Sequence, residues 1–527
     1  MAFRDNIESD YMRRVPVEHR KRFAQFFTPA AIAEVMAGWL LKNEQMETVL
    51  EPAFGLGIFS RVLLSKKKNL AIKGFDVDEC IFNAAKKQFC TCEKVHLLLQ
   101  DYMYNDWENN YDGIICNPPY FKFHDYDNKS IVKEIERKLS CKLNGFTNLY
   151  TLFLLKSIHQ LKPNGRCAYI VPSEFLNSDY GKLVKLHLIK TKTLRHIIIF
   201  DAEEKVFDDA LTTACIILCA KDNQTDKVKF SNISSASDLH VIRDLIDEYP
   251  ANSDVSISYR LDELDPEIKW KNYYQKQQGK EFEHLVPFSK YAKVMRGIAT
   301  GSNDFFSFTI AKAKEYGIGD NYLLPCICKC TDVKNQLFTW DDFNTLKNEN
   351  KKVFLLNAFD EKDANVVNYL RKGENEGINK KFLTASRNPW YALEKRPPAP
   401  IWVSVFNRKG LRFVRNTANV SNLTTFHCVY LKNDLFSDVS VDLLFAYLLT
   451  DTARMIFEDN SREYGNGLQK FEPNDSNKGM MIDLQLLSEA KKRETEIFAK
   501  KYLDSGEKRW ISLIDDVLRA EVGLRKK

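Results

Sequence analysis

The sequence of 527 residues lacks the features of a membrane or secreted protein. No apolar run approaches the ~20 residues that a membrane-spanning helix needs. The N-terminus carries charged residues from Arg4 onward, so no signal peptide is expected. The 12 cysteines show no disulfide-like spacing, which is typical of a reducing compartment. We therefore expect a cytoplasmic protein with no membrane contact.

The sequence also lacks a convincing metal-binding motif. Cys326, Cys328 and Cys330 are separated by single residues, whereas zinc sites usually have about two to four residues between cysteines. No pair of histidines follows nearby to complete a ligand set. These cysteines are interpreted as structural, and no metal is expected.

Length and charge set broader limits. A chain of 527 residues is too long for one ordinary core, so two or three domains are expected. Its hydrophobic content of 44% and charged content of 28% are ordinary for a globular protein. A net charge of +6 allows a polyanionic partner but does not require one.

The most informative motif follows an apolar run at 112–116 that is predicted to be a buried strand. Two prolines then exclude both a helix and a central strand, so a rigid loop is expected at the strand end. An amide, a proline-flanked carbonyl and an aromatic ring there are suited to holding a flat nucleobase; an ordinary turn is the alternative. The motif consists of Asn117, Pro118, Pro119 and Tyr120.

A glycine turn precedes this motif. Residues 48–50 form a predicted strand, and Glu51, Ala53, Gly55 and Gly57 follow before a predicted helix. Strand, Gly-x-Gly turn and helix are the nucleotide-binding arrangement, in which glycines let the backbone approach a ligand. No third glycine and no Gly-Lys-Ser/Thr follow, which disfavours a pyrophosphate or triphosphate. Glu51 is placed to accept a hydrogen bond from a ligand amine.

Acidic residues end the next two predicted strands. Asp76 lies about 20 residues beyond the glycine turn, the distance at which an acid reaches ribose hydroxyls. Asp101 ends the third strand. Together with Glu51 and Asn117, polar residues thus follow four successive strands. Because open α/β sheets bind ligands at the carboxyl ends of their strands, a ligand site is predicted at that edge.

Two flanking segments offer further aromatic groups. Thr28 and Pro29 are predicted to start a helix, with Thr28 as its N-cap, and the preceding Phe26 and Phe27 are suited to covering a bound adenosine. Phe207 lies in a polar connection between two strands predicted to pair antiparallel, 194–200 and 212–220. It either packs back on the sheet or stacks on a base.

With these motifs, the sequence resembles the gamma-class N6-adenine-specific DNA methyltransferases of type II restriction–modification systems, over roughly residues 20–480. The resemblance implies an α/β fold: a class I S-adenosylmethionine-dependent methyltransferase with a Rossmann-like, mixed seven-stranded sheet and a C-terminal α+β target-recognition domain. It implies catalysis by residues 117–120 and base stacking by Tyr120 and Phe207. The implied cofactor-binding residues are Phe27, Thr28, Pro29, Glu51, Ala53, Gly55, Gly57, Asp76, Asp101 and Asn117.

The resemblance also implies the reaction: transfer of a methyl group from S-adenosylmethionine to N6 of a flipped-out adenine in a specific double-stranded DNA sequence. A monomer with a separately encoded restriction endonuclease as partner is expected, since too few residues precede Phe26 for a fused nuclease domain. The alternatives are a non-catalytic DNA-recognition subunit and a methyltransferase acting on RNA or on a protein glutamine. An N4-cytosine enzyme is disfavoured, because serine commonly replaces Asn117 there.

The sequence predicts a division into a polar leader (1–20), a catalytic domain (21–225), a connector with short helices (226–285), a target-recognition domain (286–475) and a helical tail (476–527). Arg296 begins a stretch that resembles the start of the family's recognition domain. A basic cluster lies between two strand-like runs, where it contacts DNA phosphates and guanine edges or forms a solvated hairpin face. The predicted DNA-binding residues are Arg296, Arg408, Lys409, Arg412 and Arg415.

Overall fold

The computed structural model divides the chain into two compact units. Unit 1 comprises Met1–Lys276 and Glu463–Leu468, and unit 2 comprises Gln277–Arg462 and Gln469–Lys527. The structure describes residues 6–200, 213–233, 238–251, 257–275, 282, 284–359, 362–407, 411–432, 439–459, 462–464 and 468–522. None of the described helices combines the length and the apolar character that crossing a membrane requires.

A nine-stranded mixed sheet forms the centre of unit 1, with strand order β3-β2-β1-β4-β5-β7-β6-β8-β9. The first five strands in this order run parallel, and β7 is antiparallel to both β5 and β6. The strands are β1 (Thr48–Glu51), β2 (Ala71–Asp76), β3 (Val95–Leu99), β4 (Tyr111–Cys116), β5 (Leu161–Pro172), β6 (Leu194–Phe200), β7 (Ala214–Ala220), β8 (Lys227–Ile233) and β9 (Ile257–Arg260).

The first seven strands are the predicted mixed sheet, including the antiparallel pairing of β6 and β7. The sheet is larger than predicted because β8 and β9 extend it from β6. Both lie in the segment 226–285, for which only short helices were expected. Strand β9 is mostly exposed, and such a polar edge strand gives little apolar periodicity to read from the sequence.

Helices cover both faces of this sheet. Successive β4 residues face opposite sides: Ile114 packs in one core with Leu152, and Ile115 packs in the other with Val35. The helices of unit 1 are α1 (Asn6–Arg14), α2 (Val17–Arg22), α3 (Ala30–Leu41), α4 (Ile58–Lys66), α5 (Glu79–Gln88), α6 (Asn128–Leu139), α7 (Leu149–His159), α8 (Glu174–Asn177), α9 (Gly181–Lys190), α10 (Leu239–Asp247) and α11 (Lys271–Tyr274).

The predicted polar leader forms helices α1 and α2, and its polar side chains attach it to the rest of unit 1. Glu8 of α1 pairs with Arg61 of α4. His19 Nε2 lies 2.9 Å from Asp78 Oδ2, and Gln25 Nε2 donates to the same oxygen at 2.6 Å. Asp78 is buried, so this segment is part of the folded unit.

Unit 2 contains short strands between helices, in agreement with an α+β fold. Its described strands are β10 (Leu285–Pro287), β11 (Ala292–Arg296), β12 (Ser307–Phe308), β13 (Leu323–Ile327), β14 (Leu337–Phe338), β15 (Phe354–Leu356), β16 (Ile401–Ser404), β17 (Phe406–Asn407), β18 (Phe413–Asn416), β19 (Ser421–Asn422), β20 (Phe426–Leu431) and β23 (Met480–Ile482). The division of the chain into units falls within β21 (Arg462–Tyr464) and within β22 (Leu468–Lys470).

The largest sheet of unit 2 has the order β11-β20-β16-β18-β14. Trp402 of β16 is fully buried in the core beneath it. The described helices of unit 2 are α12 (Asn303–Phe306), α13 (Ile310–Glu315), α14 (Trp340–Asn348), α15 (Ala364–Asn375), α16 (Phe382–Ala385), α17 (Val441–Leu448), α18 (Asp451–Glu458), α19 (Pro473–Lys478), α20 (Glu489–Ser505) and α21 (Arg509–Val522).

The helical tail packs within unit 2. Helices α20 and α21 pack on each other and on α17, and buried residues such as Ile514 and Leu518 share a core with Leu443 and Phe445. The tail was expected to be amphipathic, and its apolar side contributes to this core.

Candidate cofactor and catalytic site

A cavity of about 340 Å³ opens at the carboxyl edge of the unit 1 sheet. It lies where β1 and β4 are neighbours and the strand order reverses, which is the expected ligand position in an open α/β sheet. Glu51, Asp76, Asp101 and Asn117 all line it. The structure therefore brings together the four strand-end residues that the sequence analysis singled out.

The glycine turn after β1 forms one wall of the cavity. Gly55 and Gly57 have φ values of 55° and 71°, a left-handed conformation that glycine adopts without strain. A Cβ on Gly57 would lie 2.5 Å from the ring of Phe54, so a side chain there would displace that ring. Ala53 and Gly55 line the cavity themselves.

Glu51 is the most buried of the lining carboxylates, with 1% exposure. Its Oε2 accepts hydrogen bonds from Ser60 N at 3.2 Å and from Ser60 Oγ at 2.5 Å. Burial raises the pKa of Glu51 to about 8, against the opposing effect of these hydrogen bonds. Because a nearby cation favours the ionised form, a positively charged ligand would release a proton from Glu51 on binding.

Asp76 and Asp101 both accept hydrogen bonds from backbone amides. Asp76 Oδ2 accepts from Gly55 N at 3.0 Å, and its Oδ1 accepts from Asp78 N at 3.0 Å. Asp101 Oδ1 accepts from Met103 N at 2.8 Å. Burial raises the pKa of both carboxyls. Asp76 thus fixes the glycine turn as well as facing the cavity.

Asn117 is held in one orientation by the segment before α3. Its Nδ2 donates to the carbonyl of Phe26 at 2.8 Å and lies 3.1 Å from Thr28 Oγ1. Since a carbonyl only accepts, Nδ2 must face Phe26, and Oδ1 is directed away. This Oδ1 is buried and has no hydrogen-bond partner among the described residues. A buried acceptor without a donor costs free energy, which a ligand donor would recover.

The structure corrects the predicted role of Thr28. Helix α3 begins at Ala30 with Pro29 at the N-cap, and none of the described side chains caps it. The Thr28 hydroxyl lies against Asn117 instead. Phe27 and Thr28 line the cavity, and Pro29 joins them to α3. The segment therefore orients Asn117.

Of the two predicted base-stacking residues, Tyr120 is half-buried and Phe207 lies outside the described residues. One face of Tyr120 stacks on Phe26, with ring centroids 5.5 Å apart and planes inclined by 20°. Tyr120 Oη donates to the carbonyl of Ile170 at 3.4 Å. The first proline of the loop, Pro118, is buried, whereas Pro119 lines the cavity.

Several lining residues were missed by sequence reasoning. They include Glu8 and Gln25 from the N-terminal segment, Tyr104 after β3, and Tyr126 and Asp127 before α6. Only Gln25 had a local signal, because it adjoins the aromatic pair; the others reach the cavity through contacts distant in sequence.

A buried lysine supports the cavity wall after β3. Lys156 of α7 is completely buried, and its Nζ donates to the carbonyls of Tyr102 and Asn105. It lies 4.0 Å from the Tyr102 ring centroid and 4.3 Å from that of Trp107. Burial lowers the pKa of Lys156 to about 7. These contacts fix the turn that follows Asp101.

The charge of the cavity is one-sided. Five carboxylates line it, and no lysine, arginine or histidine is found among the described lining residues. Such a site favours a cation and disfavours phosphate groups. A ligand with a sulfonium and an ammonium group, such as S-adenosylmethionine, fits this set of acceptors. The five carboxylates are Glu8, Glu51, Asp76, Asp101 and Asp127.

The basic residues predicted to bind DNA make intramolecular contacts where they are described. Arg412 Nη2 donates to the carbonyls of Val333 and Asn335. Arg415 Nε donates to Asp442 Oδ1 at 2.8 Å, and its Nη1 donates to the carbonyl of Pro400 at 3.0 Å. Any DNA contact by these two residues would therefore compete with contacts that hold unit 2 together.

Of the other three predicted DNA-binding residues, one is exposed and two lie outside the described part of the chain. Arg296 ends β11 with its side chain mostly exposed, and its Nη2 lies 3.2 Å from Glu472 Oε2. Arg408 and Lys409 lie outside the described residues.

Comparison with known proteins adds the family. The model for the "Eco57I restriction-modification methylase" family matches residues 54–207, and that for "Type II methyltransferase M.Eco57I, C-terminal domain" matches residues 272–517. The Type II methyltransferase M.AccI of Acinetobacter calcoaceticus is 65% identical over 498 residues, which cover 94% of this chain and 92% of that protein. M.XamI of Xanthomonas campestris pv. amaranthicola is 20% identical over 468 residues, which cover 87% and 85%.

Among solved structures, the type IIL restriction-modification enzyme MmeI in complex with DNA is similar, with a TM-score of 0.55 and 13% identity, over 99% of this chain and 73% of that one. At this identity the likeness concerns the fold.

The sheet order and the cavity define the class, a class I S-adenosylmethionine-dependent methyltransferase. Within that class, the chain belongs to the type II methyltransferases of restriction–modification systems. It is therefore a DNA methyltransferase, and its methyl donor is S-adenosylmethionine.

Proposed function

We propose that the protein methylates N6 of an adenine that has been flipped out of double-stranded DNA. The observation that carries this proposal is Asn117 Oδ1, which is buried beside an acid-lined cavity and has no hydrogen-bond partner in the described part of the chain. An exocyclic amine supplies the N–H donor that this oxygen lacks. Serine commonly stands at this position in N4-cytosine enzymes, so the asparagine favours adenine.

The chemistry requires activation of a poor nucleophile. The lone pair of adenine N6 is delocalised into the ring. By accepting an N6 hydrogen, Asn117 Oδ1 favours a more tetrahedral nitrogen with a localised lone pair, and the Pro118 carbonyl is proposed as the acceptor of the second hydrogen. When bound, the cofactor supplies an electrophilic methyl group on a sulfonium sulfur. The contribution of the protein is then positioning and electrostatics.

A base inside a duplex cannot reach a cavity of this kind, so base flipping is part of the proposal. Tyr120 and Phe207 are proposed to stack on the extruded ring. Because Phe26 covers one face of Tyr120, the base would use its other face or displace Phe26. Unit 2 is proposed to recognise the DNA sequence, and a separately encoded endonuclease to cleave unmethylated sites.

If Phe207 stacks on the base, removing its ring should reduce base flipping and turnover, and another aromatic side chain should retain both. Losing one stacking face costs about 1–3 kcal/mol per base. Phe207→Ala should therefore lower both the single-turnover rate and the fluorescence of 2-aminopurine placed at the target position. Phe207→Trp keeps a π-face and should retain both. If Phe207→Ala leaves both signals unchanged, another aromatic residue stacks on the base.

Expression in a host without DNA methylation tests the proposed reaction. Modification-sensitive sequencing of the host DNA should show N6-methyladenine at one short recurrent sequence, and the Asn117→Ala variant should give none. Methylation at cytosine N4 would refute the adenine assignment. Absence of any DNA mark from a well-folded, cofactor-binding protein would instead favour a non-catalytic DNA-recognition subunit or a methyltransferase acting on RNA or on protein.

A further inference from the structure

The N-terminal helix α1 brings a carboxylate into the wall of the cofactor cavity. Glu8 is 5% exposed and lines the cavity. Its Oε1 accepts a hydrogen bond from Arg61 Nη2 of α4, the helix that follows the glycine turn. Its Oε2 is buried and makes no hydrogen bond among the described residues. Glu8 is thus a buried carboxylate with one oxygen paired to Arg61 and the other without a partner among the residues that the structure describes.

The three strand-end carboxylates of the cavity already accept hydrogen bonds from donors of the protein. Glu51 accepts two hydrogen bonds from Ser60, Asp76 accepts one on each oxygen from backbone amides, and Asp101 accepts one from Met103. Among the lining carboxylates, Glu8 is the one whose second oxygen is both buried and without a hydrogen-bond partner among the described residues. A buried carboxylate oxygen without a donor is costly, and a ligand that supplies a strong donor would recover that free energy.

The neighbouring charges define the chemistry of that partner. Arg61 compensates Glu8 from outside the cavity, and no basic residue is found among the described lining residues. Glu8 thus borders a space that is lined by four further carboxyl groups. A cationic donor gains from both the hydrogen bond and the surrounding field.

We propose that Glu8 is a cofactor-binding residue whose Oε2 accepts a hydrogen bond from the ammonium group of S-adenosylmethionine. The proposal concerns the cofactor alone, so it does not depend on the adenine specificity proposed above. It also gives the N-terminal segment a function: α1 supplies part of the cofactor site.

Calorimetry with two ligands tests this role without any turnover. S-adenosylhomocysteine carries the ammonium group, whereas 5′-methylthioadenosine lacks the whole amino-acid part. Glu8→Gln keeps the size of the side chain and an acceptor for Arg61 but presents an amide to the cavity. The variant should bind S-adenosylhomocysteine about 10- to 100-fold more weakly, the usual range for a charge-assisted hydrogen bond. Its affinity for 5′-methylthioadenosine should not change.

A matched control separates this effect from loss of stability. Asp112 of β4 is another ion-paired carboxylate of unit 1: it accepts hydrogen bonds from Thr48 and lies 3.1 Å from Lys162 Nζ, but it does not line the cavity. Asp112→Asn should lower the melting temperature and leave both affinities unchanged.

A second substitution keeps the test decisive if Glu8→Gln does not fold. Glu8→Asp keeps the charge but shortens the side chain. It should therefore weaken the binding of S-adenosylhomocysteine but not of 5′-methylthioadenosine, and by a smaller factor than Glu8→Gln does. If either folded variant binds both ligands more weakly by the same factor, or binds both with wild-type affinity, Glu8 has only a structural role and the proposal is wrong.

Discussion

The cavity of unit 1 and the basic cluster of unit 2 are both rich in charge, yet they differ in how that charge is used. In the cavity, Asn117 Oδ1 and Glu8 Oε2 are buried and have no hydrogen-bond partner among the described residues. In unit 2, Arg412 and Arg415 donate to carbonyls and to Asp442. In these two regions, the density of charge along the sequence does not distinguish a candidate site from a structural cluster, whereas the partners of the polar atoms do.

The largest expected effect is at Asn117. Asn117→Ala removes the proposed acceptor for the N6 hydrogen, so turnover should fall below detection. DNA affinity should remain close to that of the wild type, because phosphate contacts supply most of it. Methyl-transfer assays and DNA-binding isotherms measure the two quantities separately. Appreciable turnover by this variant would show that Asn117 Oδ1 is not needed as the acceptor of the N6 hydrogen.

The next effect concerns a carboxylate that has partners within the fold and also faces the cavity. Asp76→Ala should weaken binding of S-adenosylmethionine by about 1.5–3 kcal/mol, through loss of hydrogen bonds to the ligand and of the support to Gly55. Calorimetry measures the affinity, and circular dichroism checks that the fold is retained. Wild-type affinity in the folded variant would exclude Asp76 from the site.

The raised pKa of Glu51 predicts a proton release. A carboxyl with a pKa of about 8 is mostly protonated at pH 7, and a cationic cofactor favours its ionised form. Binding at pH 7 should therefore release close to one proton, whereas Glu51→Gln should release almost none. Calorimetry in buffers of different ionisation enthalpy counts the protons. An equal count for both proteins would show that Glu51 does not ionise on binding.

The smallest expected effect compares two halves of the basic cluster. Neutralising Arg408 and Lys409 should reduce the slope of log K for DNA against log salt by roughly 2 units, if both contact phosphates. Arg412→Gln with Arg415→Gln should mainly lower the melting temperature, because both side chains hold unit 2 together. A reduced salt slope in the second variant alone would reverse this assignment.

The strand ends could be predicted from the sequence because two local patterns suffice: an apolar run for the strand, and a polar residue or glycine directly after it. Apolar runs marked β1, β2 and β4, and the residues after them were polar or glycine, so Glu51, Asp76 and Asn117 were placed at one edge. The left-handed conformations of Gly55 and Gly57 are likewise a local property of the turn.

The features that were missed depend on distant pairing. Glu8 reaches the cavity only because α1 packs against Arg61, 53 residues further along the chain. Thr28 has the sequence of a helix cap, but its hydroxyl lies against Asn117, a contact across 89 residues. The partners of Arg412, Val333 and Asn335, are almost as distant. Composition reveals such charges but not the groups that satisfy them.

Adenine N6 methylation is tested most directly by following a tritiated methyl group from S-adenosylmethionine into unmethylated plasmid DNA. After digestion of the DNA to nucleosides and chromatography, we expect the label to co-elute with N6-methyldeoxyadenosine for the wild type and to be absent for Asn117→Ala. Label in N4-methyldeoxycytidine, or no label from a wild-type protein that binds the cofactor, would contradict it.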